Sequence, residues 1–302
     1  MRDCEYIIFL RWSLHPSTNF PLDIKEINWH DLLEFAKRQG VVEFCWQGIQ
    51  HLTDLSVSLS DDEIKEWNNE YASVIRKNEK AASIITEVAI ELLNNDIDFF
   101  VLDGQPLSKN YSKTASQNSG INFYVFPKDR ERAISWIKDN TRNVEEISEH
   151  SCEFWMDNVP CRLFSQTISF PNKGKQRYWD DLIDCYFGDI LDHADINGVQ
   201  IPVLPPTLNS IYLFVLIYNH FKRKNVSLRH LVDWMMFLEV KHNEVVVPEL
   251  TAKLDKLGLL RDFKVFGEVL IKVLGMKAMN FPYAMENLDE NILNNYIKNI
   301  LR

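Results

Sequence analysis

A long run of regularly spaced apolar residues in the first third of the chain constrains the fold most strongly. Its members recur at alternating intervals of three and four residues, with Asn78 at the one polar step, and they are Ile64, Trp67, Tyr71, Val74, Ala81, Ile85, Val88 and Leu92. This spacing predicts one α-helix of about nine turns that buries a single stripe. Ser60 and Glu63 fit a capping box at its start, and Asn94-Asn95 marks its end.

The segments around this helix predict helices at both ends of the chain and a small mixed region between them. Further helices are predicted from Trp29 to Gly40 and over residues 42–52, 207–222, 226–241, 260–276 and 288–301. The middle contains predicted strands over 97–102, 121–126, 152–156 and 159–165, with a helix over 128–139. Asp157-Asn158 is a hairpin signal. The sequence therefore predicts an α+β fold with an N-terminal helical region (1–95), an αβ core (96–200) and a C-terminal helical region (201–302).

Composition and charge argue against several classes of protein. The net charge of −10 argues against broad nucleic-acid binding, although it leaves room for a local basic groove. The five cysteines show no CxxC spacing, so neither a disulfide framework nor a zinc site is indicated. No apolar run approaches the roughly 20 residues that span a bilayer, and the N-terminus does not resemble a signal peptide. We expect a cytoplasmic protein with no membrane association.

Two clusters of polar residues can each be interpreted in two ways. Lys173, Lys175 and Arg177 precede Asp180-Asp181 and are predicted to form a charged loop rather than a polyanion site. His220, His230 and Asp233 suggest either metal or acid–base chemistry, or packing with satisfied hydrogen bonds; we favour packing, with the histidines on different helices. Local signatures for a catalytic triad, a GxGxxG turn or a P-loop are absent from the sequence.

The order of elements in the middle of the chain resembles the core of DNA polymerase beta-like nucleotidyltransferases. A strand is followed by Asp103-Gly104, a helical stretch over 107–111 and a strand from Ile121. In that superfamily a glycine-containing turn opens a helix, the next strand carries an Asp-x-Asp pair, and a later strand adds a third acid. These carboxylates hold two divalent metals that clamp the nucleotide phosphates.

More specifically, the chain resembles an uncharacterised bacterial nucleotidyltransferase family, NTP transferase 5, over nearly its whole length. The resemblance rests on the lead-in helices, the long helix and the segments FVLDGQPLSKNYS, NSGINFYVF, LNSIYLFVLIYNHF and SLRHLVDW. It implies a nucleotidyltransferase core over 96–200. His220, Arg229 and Asp233 stand where this family tends to place a histidine, an arginine and an aspartate.

The chain departs from the family pattern at the metal site. Gly120 and Asn122 replace the two aspartates, and Arg162 and Phe164 replace the later acidic residue and histidine. Glycine offers no ligand and arginine adds a positive charge where a cation would bind. The resemblance therefore predicts no catalytic residue. It predicts ligand binding by Gly104, Gln105, Asn122 and Arg162.

The resemblance implies a degenerate nucleotidyltransferase that binds a nucleoside triphosphate, another anion or a partner protein. One alternative is an active enzyme whose Mg²⁺ or Mn²⁺ is held by substitute carboxylates from Asp103, Asp157 or Glu153. Another is a helical scaffold for protein interaction. Arg162 can be a phosphate ligand or a surface arginine in a salt bridge, and Gly104-Gln105 a phosphate-binding or an ordinary turn.

Overall fold

The computed structural model describes residues 2–17, 19–23, 26–54, 59–102, 120–185, 191–284 and 290–300. The chain forms two compact units. One, the helical unit, combines residues 1–76 with 216–302, and the other, the sheet unit, comprises residues 77–215. The candidate site lies within the sheet unit.

Eleven α-helices lie in the described part of the chain. They are α1 (Arg2–Leu14), α2 (Trp29–Gln39), α3 (Val42–Asp54), α4 (Asp61–Asn94), α5 (Arg130–Asn140), α6 (Lys173–Cys185), α7 (Pro206–Lys222), α8 (Leu228–Lys241), α9 (Val247–Leu257), α10 (Leu260–Val269) and α11 (Glu290–Ile300). A π-helical turn, Leu270–Leu274, follows α10. Within the described residues, no helix combines the length and the apolar character that a membrane crossing requires.

A mixed sheet of seven described strands forms the centre of the sheet unit. The strands are β1 (Phe99–Val101), β2 (Ile121–Val125), β3 (Arg142–Ser148), β4 (Ser151–Met156), β5 (Val159–Phe164), β6 (Asp192–Ile196) and β7 (Val199–Val203). Their order across the sheet is β3-β4-β5-β2-β1-β7-β6. β2 pairs in parallel with β5 and β1 with β7, whereas the other neighbours are antiparallel.

One face of this sheet packs against α4 and α5. Alternate strand residues point into that core because successive side chains of a strand lie on opposite faces. They include Ile121, Phe123, Val125, Cys161 and Leu163, which contact a cluster that also contains Ala81, Ile85, Val88, Leu92, Ala133, Ile134 and Ile137. Each large apolar side chain buried here contributes about 1.5–3 kcal/mol. The alternation therefore fixes which residues of β2 and β5 point away from the core.

The turn between β4 and β5 sets the register of the hairpin. Asp157 and Asn158 have φ angles of 49° and 63°, the left-handed conformation that a two-residue type I′ turn requires. Asn and Asp adopt it more readily than other non-glycine residues. With Met156 opposite Val159, Glu153 lies opposite Arg162. The predicted hairpin is confirmed.

The structure confirms an α+β fold with helices at both termini, and it confirms the long helix with its capping box. Ser60 Oγ and the Glu63 carboxylate are 2.6 Å apart, and Glu63 accepts from the Ser60 N–H at 2.9 Å.

The predicted loop at Lys173, Lys175 and Arg177 is wrong, because these residues begin α6. That helix forms because Trp179 and Ile183 bury its apolar side. The sequence prediction also lacks α1, α9, β3, β6 and β7.

A buried ionic cluster lies within the helical unit. Arg229 donates through Nη1 to Glu43, and its Nε lies 2.8 Å from Asp233 Oδ1. The Arg229 and Glu43 side chains are 7% and 0% exposed, and Glu43 Oε2 has no hydrogen-bond partner among the described residues. Burial raises the pKa of Glu43 and that of Asp233, although the Arg229 charge opposes both shifts. One guanidinium thus offsets two carboxyl groups.

Replacing Arg229 is expected to destabilise the protein far more than neutralising Glu43. Arg229→Met leaves the buried Glu43 and the partly buried Asp233 without their cation and should lower the free energy of unfolding by about 3–5 kcal/mol. Glu43→Gln keeps the Arg229–Asp233 pair and an acceptor for Arg229, so it should cost about 1 kcal/mol. Denaturant unfolding measures both. Lys37→Met, which removes the partly exposed ion pairs with Glu34 and Glu70, is the control and should cost less than about 1 kcal/mol. Equal losses in all three variants would contradict this account.

Candidate functional site

The sheet face that points away from α4 and α5 carries three rows of side chains across β4, β5 and β2. The first row contains Trp155, Pro160 and Gly120, the second Glu153, Arg162 and Asn122, and the third Ser151, Phe164 and Tyr124. Tyr124 and its neighbour Phe100 are buried, whereas Arg162 and Trp155 are exposed. The first two rows, which we call the site face, therefore form the accessible part.

Arg162 is the central residue of the site face. Its Nε donates to Glu153 Oε2 at 2.7 Å, and its side chain remains 47% exposed. On its other side the parallel register places Asn122 directly beside it. A guanidinium has five N–H donors in a fixed fork, and Glu153 is the sole hydrogen-bond partner of Arg162 within the described residues. The outward edge of Arg162 can therefore receive an anion.

Gly120 leaves the first row without a side chain at the edge of β2. A Cβ atom on Gly120 would lie 3.0 Å from the backbone oxygen of Pro160, tighter than an ordinary contact. An aspartate at this position, as in the family pattern, would require β2 and β5 to separate by a few tenths of an ångström. The backbone around Gly120 is thus closely fitted to glycine, and a side chain there would need a small shift of Pro160.

The third row is closed by aromatic packing. Tyr124 stacks on Phe100 with ring centroids 4.6 Å apart. Burial and the nearby carboxylates of Asp184 and Asp180 raise the pKa of the Tyr124 hydroxyl. Burial, Asp180 and Asp181 likewise raise the pKa of Asp184. These groups show that acidic residues of α6 lie near the covered end of the face.

The described residues of this region do not fit a two-metal site. No group of three or more His, Cys, Asp or Glu side chains in the described part of the chain is arranged to hold a metal ion. Glu153, a candidate substitute ligand, binds Arg162. Asp157 lies in the hairpin turn before β5, outside the strand rows that form the site face. Asp103, Gly104 and Gln105 lie outside the described residues.

A cavity of about 230 Å³ lies where β2 and β5 begin, on the side of the sheet that faces α4. Two lysines of α4, Lys77 and Lys80, line it together with Asn78, Gly120, Asn158 and Pro160. Lys80 donates to the backbone oxygen of Asp157, and Asn78 is buried. The surroundings of Gly120 are therefore cationic on the α4 side as well as on the Arg162 side.

Comparison with protein families gives one match, which covers residues 25–268 and is described as uncharacterised nucleotidyltransferase. The chain belongs to this family. No curated protein matches it. The match supports the nucleotidyltransferase fold. Asn122 and Arg162, which the sequence singles out as departures from the family pattern, are neighbours in this structure.

The sequence does not point to Trp155, the exposed aromatic residue of the site face. A signal for it was nevertheless present. A two-residue turn at Asp157-Asn158 already implies that Trp155 lies opposite Pro160 and Glu153 opposite Arg162. Strand alternation then places Trp155 on the same face as Arg162.

Two histidines of the helical unit, His220 and His230, form a packed pair, as favoured from the sequence. The rings of His220 and His230 stack with centroids 4.4 Å apart. His230 occupies the third position of α8, and its Nδ1 accepts from the Ser227 backbone N–H at 3.2 Å to complete a capping box. Burial, with a smaller contribution from His220, lowers the pKa of His230 to about 4. His230 thus acts as a neutral cap.

The low pKa of His230 predicts a loss of stability on acidification. The unfolded chain binds a proton near pH 6.5 and the folded chain only near pH 4, so stability should fall as the pH decreases from about 6.5 to 4. His230→Gln keeps a capping-box acceptor but does not titrate. Thermal unfolding between pH 7 and pH 4.5 should show a steeper loss in the wild type than in His230→Gln. Parallel pH profiles would contradict the capping role of the neutral imidazole.

Proposed function

We propose that this protein is a nucleotidyltransferase-fold protein that has lost two-metal catalysis and binds a nucleoside triphosphate through Arg162 without a metal. The observation that supports the proposal most directly is the pairing of Arg162 with Asn122, at positions where the family pattern has metal-binding acids. A guanidinium can neutralise phosphate oxygens in bidentate fashion, the task that a divalent metal performs in the active superfamily.

The charges around Gly120 favour an anion over a cation. Arg162 lies on the site face, and Lys77 and Lys80 line the adjacent cavity. Glu153 offsets one of these charges, since its carboxylate binds Arg162. The basic side chains are a local feature of a chain with a net charge of −10, and carboxylates of α6 lie near Tyr124 at the covered end of the same face. The positive charge of Arg162 attracts phosphate oxygens and disfavours a divalent metal beside it.

An active enzyme with substitute carboxylates is the competing proposal. It needs at least two acidic side chains near Gly120 and Asn122. Glu153 would have to release Arg162 before it could bind a metal, and Asp157 belongs to the hairpin turn and not to the row that contains Asn122. Nucleotide binding that depends on a metal would favour the active enzyme, so binding must be measured both in EDTA and with Mg²⁺ or Mn²⁺.

Calorimetric titration with ATP and GTP tests the proposal, in the presence of EDTA and in the presence of Mg²⁺ or Mn²⁺. We expect binding in EDTA that Mg²⁺ does not strengthen. Arg162→Ala should weaken it by about ten- to a hundredfold, because a charge-assisted hydrogen bond to phosphate is worth about 1.5–3 kcal/mol.

Lys138→Ala is the matched control. Lys138 also forms a half-exposed ion pair with a glutamate, Glu146, but belongs to α5 on the opposite side of the sheet. The control should bind ATP as the wild type does, and neither variant should lose more than about 1 kcal/mol of stability. Binding that appears only with metal, or that survives Arg162→Ala unchanged, would refute the proposal. Loss in Lys77→Ala alone would move the site to the cavity beside α4.

A further inference from the structure

Trp155 is an exposed tryptophan on the site face. Its relative exposure is 41%, although tryptophans are highly buried on average and mark binding surfaces when they are not. Strand alternation explains why it is outside the core, since Phe154 points to the buried face. Within the described residues, the Trp155 indole makes no hydrogen bond and no ring contact. Neither hydrogen bonding nor ring stacking there accounts for a tryptophan at this exposed position.

On the β5 side, the neighbours of Trp155 in the first row leave the indole open. Pro160 lies directly opposite Trp155 on β5, and Gly120 follows just before β2, while Arg142 of β3 pairs with Trp155 on its other side. Proline and glycine project little beyond the plane of the sheet, so no long side chain covers the indole from the β5 side. The row forms a flat, mainly apolar shelf beside the polar row of Glu153, Arg162 and Asn122.

The spacing between the shelf and Arg162 matches the dimensions of a nucleotide. Trp155 lies opposite Pro160, about 5 Å away across the strands, and Arg162 is two residues further along β5, about 6.6 Å. The Cα atoms of Trp155 and Arg162 are thus separated by about 8 Å on the same face. Both side chains are long enough to contact opposite ends of one mononucleotide.

We infer that Trp155 stacks on the base of a nucleotide whose phosphates bind Arg162. This inference rests on the proposed function and adds to it that the ligand is a nucleotide and not a simple polyphosphate. A base offers a π-face to an indole whatever its sequence identity, so the platform favours nucleotides over inorganic anions without choosing strongly among bases. Arg162 contributes charge and Trp155 contributes the preference for an aromatic ring.

Paired titrations with ATP and with inorganic tripolyphosphate, both in EDTA, test the inference. The wild type should bind ATP more tightly than tripolyphosphate. Trp155→Ala should weaken ATP binding about tenfold or more and leave tripolyphosphate binding unchanged. Trp155→Phe, which keeps a ring, should retain most of the ATP affinity. Arg162→Ala should weaken both ligands. Because Trp155 is exposed, these variants should keep the wild-type melting temperature, which verifies folding.

The outcomes separate the two proposals. If ATP and tripolyphosphate bind the wild type equally, or if Trp155→Ala weakens both or neither, the stacking platform is refuted while the Arg162 phosphate site stands. If neither ligand binds the wild type in EDTA, the proposed function fails and the inference fails with it. Tryptophan fluorescence provides a second readout, since ATP should change the emission of the wild type but not that of Trp155→Ala.

Discussion

The parallel pairing of β2 with β5 determines which side chains meet on the site face. Alternation fixes the pairing, because Ile121, Phe123, Cys161 and Leu163 must all point into the core against α4 and α5. A shift by one residue would expose this entire set, so the register has little freedom. As a result Asn122, Arg162 and Glu153 form one polar row on the face of the sheet that points away from the core.

In the proposed function, the side chains of this face take the place of the two-metal site. A cluster of carboxylates destabilises a site by mutual repulsion until metal ions neutralise it. Here Asn122 carries no charge, Arg162 is paired with Glu153, and the adjacent Gly120 lies close to the backbone of Pro160. The same backbone that would position acids in the family pattern thus positions a cation, which can bind phosphate directly.

The sequence predicts the parts of this architecture that bury a periodic apolar face, and it misses the parts that do not. Helix α4 and the hairpin at Asp157-Asn158 follow from spacing and turn chemistry. Strand β3 is a polar edge strand without a strong period. Helix α6 does have an apolar side, formed by Trp179 and Ile183, but its charged residues favoured the prediction of a loop. The β6–β7 hairpin and α9 had recognisable signals, such as Asn197-Gly198. The ion pair of Arg162 with Glu153 could be predicted only once the register of the hairpin was known. Ligand binding by Gly104 and Gln105 remains a prediction.

The most direct test of metal-free phosphate binding is a crystal structure of the protein with a non-hydrolysable ATP analogue, grown in EDTA and again with Mn²⁺. Anomalous scattering locates any Mn²⁺ independently of the ligand. The account predicts phosphate oxygens within hydrogen-bond distance of the Arg162 guanidinium in both crystals, with no Mn²⁺ peak bound to the protein side chains beside Asn122. An Mn²⁺ ion held there by carboxylates, with Arg162 turned away from the phosphates, would contradict it.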